Sequence, residues 1–203
     1  MIAIINYGLG NLHSVKKAID HVGGKTVVTE DPATILAAEK IILPGVGAFA
    51  DGMQGLKSRN LEDPLLLAAE KGTPLLGICL GMQLLFSSSE ENGIHSGLDL
   101  IKGKVLNFPK SGLKVPHIGW NQLEGIGDSK LIQGINEGEY VYFNHGFFCR
   151  PDNAEAFLTI TEYGLPFASS VRENNIYGVQ FHPEKSQRVG LQILRNFVET
   201  IDE

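Results

Sequence analysis

Thr73-Pro74-Leu75-Leu76-Gly77-Ile78-Cys79-Leu80-Gly81-Met82-Gln83 is the stretch on which the reading of this chain turns. It opens as an apolar run of the kind that forms a buried strand. Within it, Gly77-x-Cys79-x-Gly81 repeats the G-x-S-x-G spacing with cysteine in place of serine. A nucleophile on a sharp strand-to-helix turn sits in a strained conformation, and bulky neighbours at ±2 would clash, hence the flanking glycines. A helix starting after Cys79 points its N–H groups at the sulfur, which lowers a thiol pKa and stabilises an oxyanion. A buried structural cysteine in a Gly-punctuated core strand would carry the same letters, and the elbow alone also permits a redox-sensing thiol.

Before this stretch, short apolar runs alternate with helical spacing. Met1–Asn6 reads as a strand, and Leu12, Val15, Ala18, Ile19 and Val22 follow at helical intervals up to Gly23-Gly24. Lys25–Thr29 reads as a second strand. Asp31-Pro32 opens a short helix, and Lys40–Leu43 is a buried strand stopped by Pro44-Gly45. Strands alternating with helices imply a mostly parallel sheet flanked by helices. The second half changes rhythm. Leu100–Phe108, Leu113–Leu123, Glu139–Phe143, Ala156–Thr161, Phe167–Arg172 and Asn175–Gln180 are short β-like runs, with Glu173-Asn174 a tight hairpin between the last two. Val189, Ile193, Leu194, Phe197, Val198 and Ile201 then mark a C-terminal helix. The expected fold is one α/β domain over residues 1–203, with a β-rich insertion in its C-terminal half.

A thiol nucleophile needs a base, and six histidines are available. His182 is favoured because Gln180-Phe181-His182-Pro183-Glu184 follows a predicted strand. Pro183 pushes His182 into the extended region, where residues two apart share a side and Glu184 can orient the imidazole. Taken alone, His-Pro-Glu is equally a turn with a solvated glutamate. Gly45-Val46-Gly47-Ala48-Phe49-Ala50 fits a dinucleotide fingerprint, or serves as a loop of backbone N–H donors for an oxyanion. Gly8-Leu9-Gly10 fits that fingerprint poorly, with histidine at position 13. His117 and His145 lack ligand spacing and read as loop or core histidines, and Cys149 has no glycine flanks.

Seventeen Lys+Arg against 23 Asp+Glu leave a formal charge of −6 without a basic block, which argues against nucleic acid or an anionic membrane as partner. The longest apolar stretch, Pro74 to Phe86, is too short to cross a bilayer. Residues 1–7 lack the features of a secretory signal, so a cytoplasmic setting is expected. Cys79 and Cys149 make neither a disulfide framework nor a metal site.

Pro44-Gly45-Val46-Gly47, Gly77–Gln83 and Gln180–Glu184 together resemble the three motifs of the class I (triad) glutamine amidotransferases. Asn6-Tyr7-Gly8-Leu9-Gly10-Asn11, Pro116-His117-Ile118-Gly119-Trp120-Asn121 and Glu184-Lys185-Ser186 are similar to one branch of that family, the glutaminases that serve a cyclase of histidine biosynthesis. The resemblance covers essentially the whole chain. It implies hydrolysis of L-glutamine to glutamate and ammonia, with Cys79 as nucleophile, His182 as proton shuttle and Glu184 holding the imidazole. It further implies oxyanion donors from Gly45, Val46, Gly47 and Leu80. Glutamine contacts would come from Gln83, Glu91 and the backbone of His145, Gly146 and Phe147. A thioester route calls for neither metal nor cofactor. The partner implied is a separate (β/α)8-barrel cyclase, a fold of about 250 residues that this chain has no room for. That cyclase makes imidazole glycerol phosphate and a purine precursor (AICAR), and Asn11, Trp120, Tyr142 and Lys185 match positions at its interface. The family usually carries His-Ser-Tyr where this chain has His145-Gly146-Phe147. A paralogue feeding a surface-sugar amidotransferase and a free-standing γ-glutamyl hydrolase remain as alternatives.

Overall fold

The computed structural model describes residues 1–109 and 112–201, so positions 110, 111, 202 and 203 of the expected 1–203 domain lie outside the described residues. The N-terminal apolar run forms β1 (Ile2–Ile5), buried throughout. Asn11 starts α1 (Leu12–His21), its side chain accepting from the Ser14 amide. β2 (Thr26–Thr29) follows, then α2 (Pro32–Leu36), whose cap Asp31 accepts from the Thr34 amide. β3 (Lys40–Gly45), α3 (Phe49–Ser58), α4 (Glu62–Glu70), β4 (Leu75–Cys79) and α5 (Leu80–Leu84) complete the alternating half. The strand-rich half comprises β5 (Phe86–Ser89), β6 (His95–Ser96), β7 (Ile101–Asn107), β8 (His117–Gln122), β9 (Tyr140–His145), β10 (Phe147–Pro151), β11 (Phe157–Glu162), β12 (Pro166–Glu173) and β13 (Ile176–Val179). α6 (Gln187–Glu199) closes the chain.

Seven strands make the main sheet in the order β11-β12-β13-β4-β3-β1-β2. From β13 to β2 every pair is parallel, while β12 and β11 extend the sheet antiparallel. Alternation along the central strands sends Ile4, Ile42 and Ile78 to one face, under α1 and α6. Ile5, Ile41 and Leu43 go to the other, under α2 to α5. Two apolar cores therefore share one sheet. At roughly 25 cal/mol per Å² of apolar area removed from water, these layers supply the main driving force for folding. Among the described residues no helix is long and apolar enough to cross a membrane.

Three expectations need correction. The β-rich half is not one insertion. β11, β12 and β13 join the main sheet, whereas β10-β7-β5-β6 form a second sheet and β8-β9 a two-stranded ribbon. Pro44-Gly45 does not stop β3, which continues through both residues and sets Gly45 opposite Cys79. Proline is compatible with the end of a strand, where only one ladder donor is lost. The β12-β13 hairpin turns at Asn174-Asn175, because Glu173 still pairs with Ile176 and Asn174 takes the positive φ of 54° that the turn requires.

Candidate active site

The carboxyl ends of three neighbouring parallel strands bring the motifs together. β3 ends at Gly45, β4 ends at Cys79, and β13 leads through Gln180 and Phe181 to His182. In open α/β sheets this edge is where ligands bind. Cys79 has φ 55° and ψ −111°, a strained conformation for a residue with a side chain, so the elbow read from the sequence is present. The flanking glycines answer mainly to α5 folding back on the sheet. A Cβ at Gly77 would lie 2.7 Å from the Gly81 carbonyl group, and one at Gly81 would lie 1.7 Å from the Leu43 carbonyl oxygen.

Cys79 stands on one side of His182 and favours its charged form, and on the other side His182 Nδ1 lies 3.0 Å from Glu184 Oε1. Glu184 reaches the ring through a tight 3-10 turn at Pro183–Lys185, and not along the extended chain that the sequence predicted. Two clamps hold that turn. Ser186 Oγ donates to the His182 carbonyl at 2.6 Å, and the His182 amide donates to the Tyr142 carbonyl at 2.9 Å. α6 seats closely beneath it, since a Cβ at Gly190 would stand 2.0 Å from the Pro183 carbonyl oxygen.

Burial opposes the charged imidazole, yet Cys79 and Glu184 together outweigh it and hold His182 up to about 9. The Glu184 side chain is 1% exposed and its Oε2 has no hydrogen-bond partner, so the imidazolium is its main compensation. The folded value lies above the unfolded one near 6.5. The stability it contributes is therefore complete below about pH 6.5 and lost as pH rises through about 9. Urea unfolding at several pH values should show the wild-type midpoint falling across that window, with a shallower fall for Glu184→Gln. Equal falls would mean that Glu184 does not hold the proton.

Cys79, His182, Leu80 and Gln83 line a cavity of about 210 Å³ together with Val46, Gly47, Glu91, Pro116, Asn144, His145, Gly146 and Phe147. That is below the roughly 300–1,000 Å³ typical of drug-sized ligands and is on the scale of a single amino acid. Gly45 sits beside Cys79 at the end of β3. Glu91 lines the cavity, and its Oε2 accepts from the Phe49 amide at 2.7 Å, which ties it to the segment after Gly47. A Cβ at Gly146 would meet only Val115 Cγ1, at 4.0 Å, so the first carbon of a side chain has room there. Among the described residues no group of His, Cys, Asp and Glu is placed to hold a metal ion.

Trp120, Tyr142 and Lys185 form one surface cluster. The Trp120 and Tyr142 rings meet edge to face at 6.0 Å, and Lys185 Nζ lies 5.8 Å from the Tyr142 ring centre. Trp120 is 46% exposed, a large aromatic left on the outside. Asn11 stands at the exposed start of α1, a helix that contacts the Pro183–Lys185 turn.

Several groups near the thiol escaped the sequence reading. Gln180 Nε2 lies 3.9 Å from Cys79 Sγ, and the Asn144 carbonyl lies 3.8 Å from it. Tyr7 is buried with its hydroxyl unpartnered against Gly45. Burial first, and Cys79 second, raise that phenol well above its ordinary value. The His117 and His145 rings, read from their spacing as loop or core histidines, are paired at 3.0 Å, with His145 at the cavity wall and His117 behind it. Only proximity in the fold could have found these, since none has a spacing signature. Cys149 lies buried in β10, its thiol pushed up chiefly by burial.

Comparison with known proteins agrees with this geometry. The family model described as "Glutamine amidotransferase class-I" matches residues 3–201. The chain is 52% identical over 200 residues to "Imidazole glycerol phosphate synthase subunit HisH" of Moorella thermoacetica, covering 98% of this chain and 95% of that one. The protein of the same name from Methanosarcina acetivorans is also 52% identical, with 98% of both chains covered. Among solved structures, a crystal structure of a glutamine amidotransferase superimposes with a TM-score of 0.77 at 17% identity over 98% of each chain. PurLQS from Thermotoga maritima gives 0.72 at 20% identity, over 97% of this chain and 96% of that one. These two structural matches speak for the fold. With the elbow, the His-Glu pair and a family match spanning nearly its whole length, the chain belongs to the class I glutamine amidotransferases, among relatives of the HisH subunit.

Proposed function

We propose that this chain is the glutaminase subunit of an imidazole glycerol phosphate synthase. It hydrolyses L-glutamine to glutamate and ammonia and passes the ammonia to a separate (β/α)8-barrel cyclase in histidine biosynthesis. The observation that carries the reading is the meeting of Cys79 and His182 on one small cavity at the carboxyl edge of the sheet, with Glu184 buried against the far side of the imidazole. Cys79 Sγ attacks the carboxamide carbon while His182 holds the proton. The Leu80 amide and those of Gly45, Val46 and Gly47 face the oxyanion. Collapse of the tetrahedral adduct breaks the C–N bond, and His182 returns the proton to the departing ammonia. Water then attacks the γ-glutamyl thioester, His182 takes its proton, and the thiol is restored with release of glutamate. Glu184 accepts the Nδ1–H throughout and compensates the imidazolium. Gln83, Glu91 and the His145–Phe147 backbone hold the substrate.

Asn11, Trp120, Tyr142 and Lys185 are the docking side for the cyclase. Residues 1–203 act as one domain. A cytoplasmic setting goes with a free thiol nucleophile, which an oxidising compartment would endanger. The test is glutamate release by the purified chain alone, and with the cyclase barrel and its phosphorylated ribulosyl ligand. Stimulation by about 10- to 100-fold is expected. Equal rates would remove the partner dependence and point to a free-standing hydrolase.

A further inference from the structure

Behind the cavity a chain of hydrogen bonds runs through groups that take no chemical part in the reaction. Asn121 Nδ2 lies 3.3 Å from His117 Nε2, His117 Nδ1 lies 3.0 Å from His145 Nε2, and His145 Nδ1 lies 2.7 Å from the Phe147 carbonyl oxygen. Gln83 Nε2 donates to the same carbonyl at 3.2 Å and to Gln180 Oε1 at 3.1 Å. Gln180 Nε2 then approaches Cys79 Sγ, so the network is continuous from β8 to the nucleophile.

Its direction follows from the chemistry of each group. A carbonyl only accepts, so His145 carries its proton on Nδ1 and accepts at Nε2. His117 must then donate from Nδ1 and accept at Nε2. The Asn121 amide is oriented independently, with its Oδ1 accepting from the Gln122 amide at 2.8 Å and its Nδ2 donating to the Glu162 carbonyl at 2.9 Å. That orientation turns a donor toward His117 Nε2, as the other two bonds require. Both rings are buried, and His117 is stacked on Tyr163 at 3.9 Å and on Phe143 at 4.8 Å. Burial holds His117 down to about 4 and His145 to about 3, so both stay neutral near pH 7. A second proton on His145 would set two donors face to face.

We propose that Asn121, His117 and His145 form a one-way hydrogen-bond relay that holds the Phe147 segment of the cavity wall against Gln83. His117 is then a positioning residue for glutamine binding, although it does not line the cavity. The kinetic arm of the test rests on the glutaminase reading; the spectroscopic arm does not.

Two substitutions separate hydrogen bonding from packing. His117→Phe keeps the ring stack and deletes the donor, whereas His117→Asn keeps a donor near the Nδ1 position and deletes the stack. In the complex with the cyclase, His117→Phe is expected to raise the glutamine KM about tenfold with kcat within about twofold. His117→Asn should stay within about threefold of the wild-type KM, despite a lower Tm. The reverse order, with Phe harmless and Asn damaging, would reduce His117 to packing and overturn the proposal. Nitrogen-15 NMR of the unaltered full chain should show both imidazoles neutral, with the proton on Nδ1. A proton on Nε2 of either ring would also overturn it, whether or not the variants fold. The expected tautomers in a chain that turns over no glutamine would support the relay and remove the glutaminase reading instead.

Discussion

Replacing Cys79 by alanine is expected to leave a folded chain whose glutamate release, measured in complex with the cyclase, falls by about 10⁴-fold or more. The Sγ atom forms the bond on which the thioester route depends, and the other cysteine offers no substitute. Cys149 is buried in β10 with its thiol driven toward the neutral form, and it does not line the cavity. Cys149→Ala should keep near-wild-type turnover, with a stability cost of about 1 kcal/mol for the lost sulfur. Folding of the Cys79→Ala chain is assured by the same argument that identifies the residue. Alanine keeps the same strained φ of 55° and loses only the contacts of the buried sulfur, so the cost in urea unfolding should be about 1 kcal/mol. Normal turnover by Cys79→Ala would dismiss the mechanism entirely.

Gly81→Ala should produce the largest change in stability of any single methyl addition near the site, about 4 kcal/mol or more by urea titration. The added Cβ would stand 1.7 Å from the Leu43 carbonyl oxygen, and the next obstacle is the same residue's carbonyl carbon at 2.7 Å. Both are backbone atoms of β3 and cannot rotate away as a side chain would. Relief requires α5 to lift from the sheet, which drags Leu80 and the elbow with it. For a chain of this size such a loss lowers Tm by about 10 °C. Gly146→Ala is the contrast, because its Cβ meets only Val115 Cγ1 at 4.0 Å and should cost under about 1 kcal/mol. A small effect at Gly81 would mean that the α5 contact is looser than the geometry states.

Much of the site was legible because its chemistry is local. Gly77-x-Cys79-x-Gly81 encodes a tight strand-to-helix turn in five consecutive residues, and His182-Pro183-Glu184 places an orienting carboxylate two residues from its imidazole. Even there the route was misread. Pro183 opens a 3-10 turn, and that turn carries Glu184 Oε1 to His182 Nδ1. Strands β5, β6 and β10 were missed because Phe86–Ser89 is mostly polar, His95–Ser96 spans only two residues and Phe147–Pro151 ends in proline. Those sequences pair only because a neighbouring strand presents its edge.

What the sequence determined by itself is the alternating half of the fold and the three residues proposed as nucleophile, base and orienter. Apolar periodicity, capping residues and the steric demands of an elbow all act over a few residues. The tertiary structure alone decided that β3, β4 and β13 lie side by side, so that segments more than 100 residues apart end on one cavity. It likewise decided that His117 faces His145, a pairing created by the antiparallel register of β8 and β9. Register and strand order depend on which faces bury best against the rest of the chain, a balance summed over both cores that no local run of residues contains.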